Sequence, residues 1–148
     1  EANNYQFMAV CLPPSYLELA NQYLSGSIKR CTVIGFPTGY QTSKAKLLEC
    51  QHVLELGAQE VDTVINIGDL KDSRFDKVIS EISSLADLCH EQKAILKVIL
   101  ETSELTKGEI IQASKLCTQS NADFVKTALK TPTPYSWSRM GVCSFGTI

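Results

Sequence analysis

Signals for short strands and for helices alternate along almost the whole chain. Apolar runs begin near residues 7, 31, 60, 94 and 122, and the intervals between them have the apolar spacing of helices. Neighbouring parallel strands need a long crossover, which is usually a helix. The alternation therefore predicts a parallel sheet covered by helices.

Two architectures fit this pattern, an open doubly wound sheet and a (β/α)8 barrel. Eight units at this spacing would need roughly 230 residues, close to the size of a barrel, and the 148 residues supply about five. Gly35 and Gly68 follow strands singly, without the glycine-rich motif of a nucleotide-binding sheet. The strand period therefore favours an α/β fold of the (β/α)8 TIM-barrel type, with about five of the eight βα units present.

The helices are predicted over about residues 15–25, 42–56, 73–90 and 106–120. Gly57 is placed to end the second of them, and Thr106 with Glu109 forms a capping-box pattern at the start of the fourth. The segment around Gly68 is expected to be a loop.

Composition and charge exclude several classes of function. Hydrophobic residues make up 44% and charged residues 20%, as in one globular domain with a real core. The net charge of −2 gives no basic stripe for nucleic acid, and no apolar stretch approaches the roughly 20 residues of a membrane helix. Chain position 1 is not Met, which is compatible with a start inside a longer protein.

The cysteines and histidines indicate neither disulfides nor a metal site. His52 and His90 lack ligand spacing, so no metal or other cofactor is expected. Scattered thiols without a CxxC pair indicate a reducing, cytoplasmic compartment. The six are Cys11, Cys31, Cys50, Cys89, Cys117 and Cys143.

Charged side chains interrupt three consecutive apolar strands. Asp62, Lys97 and Lys126 lie in the third, fourth and fifth strands. Charge in a buried strand is costly unless it is paired, and polar groups near the carboxyl ends of barrel strands lie at the catalytic face. We therefore expect these groups to point inward and to meet in one polar site.

Two buried amines and a carboxylate suit Schiff-base chemistry. A lysine with a lowered pKa is neutral enough to attack a carbonyl, and both burial and a second ammonium lower the pKa of a lysine. The iminium then draws electrons from a neighbouring carbon–carbon bond, and Asp62 is the carboxylate available to move protons. The alternative is structural, with each lysine reaching the surface from its strand end or pairing with an acid such as Glu101.

Six segments resemble successive signatures of the deoxyribose-phosphate aldolase family. Together they cover roughly residues 5 to 127, in the order and spacing of the family. They are VCLPP at 10–14, TVIGFPTG at 32–39, VDTVIN at 61–66, IGDLK at 67–71, LKVILET at 96–102 and ADFVKT at 122–127.

The resemblance implies a class I aldolase, a carbon–carbon lyase of deoxyribonucleotide and carbohydrate catabolism on a (β/α)8 barrel. It reversibly cleaves 2-deoxy-D-ribose 5-phosphate to acetaldehyde and D-glyceraldehyde 3-phosphate, without a metal. Lys126 is then the Schiff-base lysine, Asp62 the acidic partner in proton transfer and Lys97 a further polar residue of the active site. Thr127 and Cys11 are implied at the substrate pocket. The expected partners are a small sugar phosphate and aldehydes, with a homo-oligomer as a further expectation.

The sequence departs from the family after Lys126. The family continues with Thr-Ser-Thr-Gly, whereas Thr127 is followed here by Ala-Leu-Lys, in which Lys130 could reach a phosphate. We interpret 1–130 as a partial aldolase-type barrel and 131–148 as a divergent tail. The family's first strand, its second lysine and its glycine-rich phosphate site have no counterpart, so a fragment, a truncated relative and a chain that borrows strands all fit.

Two classes of function follow from these departures. One is an active Schiff-base aldolase, and the other is a catalytically impaired relative that only binds a partner or a sugar phosphate. Lysine aldolases of the transaldolase type fit less well, because the strand around Asp62 matches them poorly.

Overall fold

A parallel sheet of five strands forms the centre of the computed structural model, which describes residues 1–127. The strands lie side by side in chain order. A doubly wound sheet would reverse its strand order at a switch point, whereas uninterrupted sequential order is that of consecutive barrel units. The predicted barrel-type fold is confirmed. The strands are β1 (Ala9–Leu12), β2 (Lys29–Ile34), β3 (Glu60–Val64), β4 (Ile95–Ile99) and β5 (Phe124–Lys126).

Helices connect each strand to the next, and one short helix, α1 (Ala2–Tyr5), precedes β1. The connecting helices are α2 (Leu17–Tyr23), α3 (Ser43–Glu55), α4 (Ile67–Lys71), α5 (Phe75–Glu91) and α6 (Lys107–Gln119), with single 3-10 turns at Pro14–Tyr16 and Thr102–Glu104. The four predicted helices correspond to α2, α3, α5 and α6. Within residues 1–127, no helix is both long and apolar enough to cross a membrane.

The predicted helix ends are present, and one segment differs from the prediction. The capping box joins the Thr106 and Glu109 side chains to each other's backbone N–H groups. Gly57 follows α3 with a φ of +91°, a conformation that favours glycine. The expected loop around Gly68 is instead α4, because Asn66 caps it by accepting a hydrogen bond from the Asp69 N–H at 3.1 Å.

The apolar core lies between the sheet and the helices. Val61 of β3 and Leu96 and Val98 of β4 are fully buried there, against Val53 of α3 and Leu85 of α5. Successive strand residues point to opposite faces. Asp62 and Lys97, which alternate with these core residues, therefore lie on the face away from the helices.

A buried ion pair, absent from the predictions, links the helix layer to β3. Lys46 of α3 is fully buried, and its Nζ lies 2.6 Å from Glu81 Oε1 of α5. The same Nζ donates a hydrogen bond to the Val64 carbonyl at 2.8 Å, and Ser43 Oγ donates to Glu81 Oε2 at 2.7 Å. The pair thus fixes the end of β3, two residues beyond Asp62.

The predictions for the loop after Thr127 concern Ala128, Leu129 and Lys130, which lie outside the described residues together with the tail at 131–148. The domain boundary at residue 130 lies there too.

Candidate active site

The sheet register brings the three predicted charged residues to one face. Asp62 of β3 is the direct neighbour of Lys97 of β4. Lys126 of β5 pairs with Ile99, two residues after Lys97 and on the same face. Three neighbouring strands therefore deliver Asp62, Lys97 and Lys126 to the face opposite the helices.

Asp62 is the centre of this cluster. Its carboxylate is fully buried; Oδ2 accepts a hydrogen bond from Lys126 Nζ, and Oδ1 lies 3.3 Å from Lys97 Nζ. The expected contact between Asp62 and Lys126 is present. The Lys126 side chain is 15% exposed and that of Lys97 only 3%, so Lys126 is the more accessible of the two amines.

Glu60 completes the cluster and was not among the predicted site residues. Its Oε2 lies 2.5 Å from Lys97 Nζ, and both side chains are almost fully buried. Burial disfavours the ammonium of Lys97, but attraction to Asp62 and the hydrogen bond to Glu60 outweigh burial and raise the pKa of Lys97. The alternation of side chains along a strand would have indicated Glu60, since residues 60 and 62 lie on the same face of β3.

The sequence suggested Lys97 as a like charge beside Lys126, but the structure shows it as the counter-ion of two carboxylates. These carboxylates partly balance its positive charge, so it repels the ammonium of Lys126 less than an unpaired lysine would. The structural alternative named Glu101 as an acid partner, but the Glu101 carboxylate accepts a hydrogen bond from Ser103 Oγ at 2.6 Å. Glu60 and Asp62 fill that role for Lys97.

Two thiols line the same face of the sheet. Cys11 of β1 is the register neighbour of Cys31 of β2, and their sulfurs lie within 4.8 Å of each other. Cys31 Sγ also accepts a hydrogen bond from Lys97 Nζ at 3.5 Å. Cys11, implied at the pocket, thus lies at the cluster, whereas Cys31 was not predicted there. Thr127, the other implied substrate contact, directly follows β5 and is exposed.

The thiols and Asp62 form a donor set of a kind that can bind metal. Cys11 Sγ, Cys31 Sγ and an Asp62 oxygen all lie within 4.8 Å of one another. However, Asp62 already faces the amines of Lys97 and Lys126, and two ammonium groups would repel a divalent cation at this point. The described contacts favour ammonium as the counter-ion of Asp62.

The arrangement can exchange a proton between an accessible amine and a buried carboxylate. Lys126 and Asp62 share a hydrogen bond, while Lys97 holds the other oxygen of that carboxylate in place. Because Lys126 is the more exposed of the two amines, a carbonyl compound that enters the cluster would meet Lys126 before Lys97. Proton exchange beside an accessible amine is what nucleophilic catalysis by lysine requires.

Comparison with known proteins gives the same assignment. The family model described as DeoC/LacD family aldolase matches residues 1–137. Deoxyribose-phosphate aldolase of Streptococcus pyogenes is 46% identical over 128 residues, which are 86% of this chain and 56% of the relative. The chain thus spans little more than half the length of the curated relatives that it matches.

Solved structures show the same likeness. A provisionally assigned deoxyribose-phosphate aldolase of Coccidioides immitis superposes with a TM-score of 0.82 at 39% identity, covering 86% of this chain and 50% of that one. The tetrameric deoxyribose phosphate aldolase of Aeropyrum pernix gives a TM-score of 0.75 at 33% identity, covering 86% and 53%. The family match includes every strand and helix described above. The chain therefore belongs to the DeoC/LacD family of aldolases.

Proposed function

We propose that this chain provides the Schiff-base lysine of a deoxyribose-phosphate aldolase, with Lys126 as the nucleophile and Asp62 as its proton-transfer partner. One observation carries the proposal: the accessible amine of Lys126 donates a hydrogen bond to the fully buried carboxylate of Asp62. The names of the curated relatives support the choice of 2-deoxy-D-ribose 5-phosphate as substrate.

Imine formation begins with a proton transfer inside this pair. Asp62 takes a proton from the Lys126 ammonium, and the neutral amine attacks the aldehyde carbon of the open-chain sugar phosphate. The former carbonyl oxygen is protonated and leaves as water, and its second proton is supplied by Asp62. The product is an iminium ion on Lys126, with Asp62 again a carboxylate.

Carbon–carbon cleavage follows from the electron demand of the iminium. A base removes the proton of the hydroxyl on the third sugar carbon, and Asp62 is the carboxylate placed for this role, directly or through a water. The bond between the second and third carbons breaks, and its electron pair forms an enamine on Lys126. Glyceraldehyde 3-phosphate leaves, and protonation and hydrolysis of the enamine then release acetaldehyde.

The remaining residues of the cluster position these two. Lys97 and Glu60 hold the Asp62 carboxylate towards Lys126, because Lys97 contacts both acids. Cys11 and Thr127 are assigned to the wall of the substrate pocket. Five free cysteines among the described residues support a reducing, cytoplasmic location, and the tetrameric relative supports a homo-oligomer.

Borohydride trapping tests the proposal. The full chain is incubated with acetaldehyde and sodium borohydride, and we expect an added mass of about 28 Da on Lys126, the reduced imine of a two-carbon aldehyde. Lys126→Met should abolish this adduct. Lys115→Met is the matched control, since Lys115 is an exposed lysine of α6, in the helix layer on the other side of the sheet from the cluster.

The result also separates the two classes of function. An adduct spread evenly over exposed lysines, with no preference for Lys126, would overturn the aldolase assignment. If such a chain still bound the sugar phosphate, it would be a binding relative without catalysis.

A further inference from the structure

The polar face of the sheet contains a pair of thiols that the proposed aldolase mechanism does not use. Cys11 and Cys31 are register neighbours on adjacent strands, and their sulfurs lie within 4.8 Å of each other. Cys11 is partly exposed, whereas its neighbour Cys31 is fully buried. A small solute can therefore reach the Cys11 thiol, and the Cys31 sulfur lies within 4.8 Å of it.

The backbone geometry allows a bond between the two sulfurs. Paired residues of neighbouring strands have Cα atoms about 4.8 Å apart, inside the range of about 4.4–6.8 Å found for disulfides. The bridge also needs the two Cβ atoms to approach each other.

A second thiol pair in the same chain provides an internal comparison. Cys50 Sγ of α3 and Cys89 Sγ of α5 lie 3.7 Å apart, but both side chains are completely buried in the apolar core. The hydrogen bond with Cys50 and burial raise the pKa of Cys89, so the Cys89 thiol stays protonated. Both pairs have sulfurs close together, but only the pair of Cys11 and Cys31 lies beside charged groups and includes a partly exposed thiol, that of Cys11.

The environment of Cys11 favours the reactive thiolate. The hydrogen bond from Cys31 lowers the pKa of Cys11, and the nearby ammonium groups of Lys126 and Lys97 act in the same direction, against burial and Asp62. The hydrogen bond to Cys11 and burial raise the pKa of Cys31. Thiolate is the form that oxidants attack, so Cys11 is the first of the two to react.

From this geometry we propose that Cys11 and Cys31 form a peroxide-responsive dithiol, which hydrogen peroxide converts into a reversible disulfide between β1 and β2. The proposal is independent of the aldolase assignment, because it rests on the thiols alone.

The reaction proceeds in two balanced steps. The Cys11 thiolate attacks one oxygen of hydrogen peroxide, the O–O bond breaks, and the products are a sulfenic acid and hydroxide. Cys31 sulfur then attacks the Cys11 sulfur, the S–O bond breaks, and the hydroxyl leaves as water with the proton of Cys31. Two thiols lose two electrons in total, and peroxide is reduced to two waters.

Lys97 assists the second step. Its ammonium donates a hydrogen bond to Cys31 Sγ, which stabilises the negative charge developing on that sulfur as its proton leaves. Because a directly paired bridge draws the Cβ atoms closer than the strands set them, the disulfide is strained and easily reduced. A reversible bond is what a thiol pair needs in a reducing compartment.

Peptide mapping of the full chain tests the proposal. The protein is treated with hydrogen peroxide, its remaining thiols are alkylated, and it is digested without reductant. We expect one linked peptide pair that contains Cys11 and Cys31, with a loss of about 2 Da that dithiothreitol reverses. In Cys31→Ala, Cys11 should instead gain about 32 Da as the sulfinic acid, which dithiothreitol does not reverse.

Cys89→Ala is the matched control, because it removes one thiol of the buried pair and leaves the polar face intact. Its Cys11–Cys31 linkage should form at the wild-type rate. Oxidation of folded wild-type protein without that linkage would overturn the proposal. Faster linkage of Cys50 to Cys89 would overturn it as well.

Discussion

Replacing Asp62 by Asn tests the proposed proton transfer while it leaves the shape of the site unchanged. The amide keeps the shape of the carboxylate but cannot accept a proton from Lys126 or return it. Acid–base catalysis by one positioned side chain contributes about 10²- to 10⁴-fold. We therefore expect Asp62→Asn to lower the rate of imine formation at Lys126, and any aldol turnover, by two or more orders of magnitude.

The effect on stability should be smaller than a buried charge would suggest. Removing one partner of a buried ion pair costs about 3–5 kcal/mol when it leaves the other charge unpaired. Here Lys97 keeps Glu60 as a partner, and Lys126 is partly exposed and can reach water. The free energy of unfolding should therefore fall by less than that range, about 1–3 kcal/mol, and the fold should persist.

The assay pairs borohydride trapping rates with thermal denaturation followed by circular dichroism. Glu60→Gln is the matched control, since it removes a buried carboxylate of the same cluster that contacts Lys97 and leaves the hydrogen bond between Lys126 and Asp62. It should lose comparable stability but much less imine formation. Wild-type trapping in Asp62→Asn, or an equal loss in both variants, would refute the assignment of Asp62 as the proton-transfer partner.

Three further outcomes are expected. Lys97→Met removes a positive charge from the cluster, so the pH profile of imine formation should move to higher pH; the double variant with Glu60→Gln should move less, and an unmoved profile would make Lys97 purely structural. Lys46→Met leaves Glu81 buried without its ammonium, so the free energy of unfolding should fall by about 3–5 kcal/mol, and Lys46→Met with Glu81→Leu should recover most of the loss in a denaturant titration. The isolated chain should associate or precipitate through the edge strands of its described sheet; a monodisperse monomer in sedimentation, with a cooperative melt above about 50 °C, would contradict this expectation.

Local patterns decided most of the secondary structure. Thr106 and Glu109 satisfy free N–H groups at the start of α6 within one turn, so their effect needs no distant partner. The same holds for Gly57, whose positive φ is a property of the residue itself. Local patterns were not sufficient at Asn66, because its side chain caps the short helix α4, which the spacing of apolar residues does not reveal.

Local sequence patterns were enough to predict the order of the five strands and of the four helices α2, α3, α5 and α6, the parallel sheet, and the three charged strands that meet on one face. These depend on the period of two along a strand and on the alternation of strands with helices, which are local quantities. Three contacts became visible only in the folded chain: Lys97 pairs with Glu60, Cys31 lies beside Cys11, and Lys46 of α3 is buried against Glu81. Each of these contacts depends on the register between two strands or on the rotation of a helix. Packing across the whole sheet sets both, and no short window of sequence contains them.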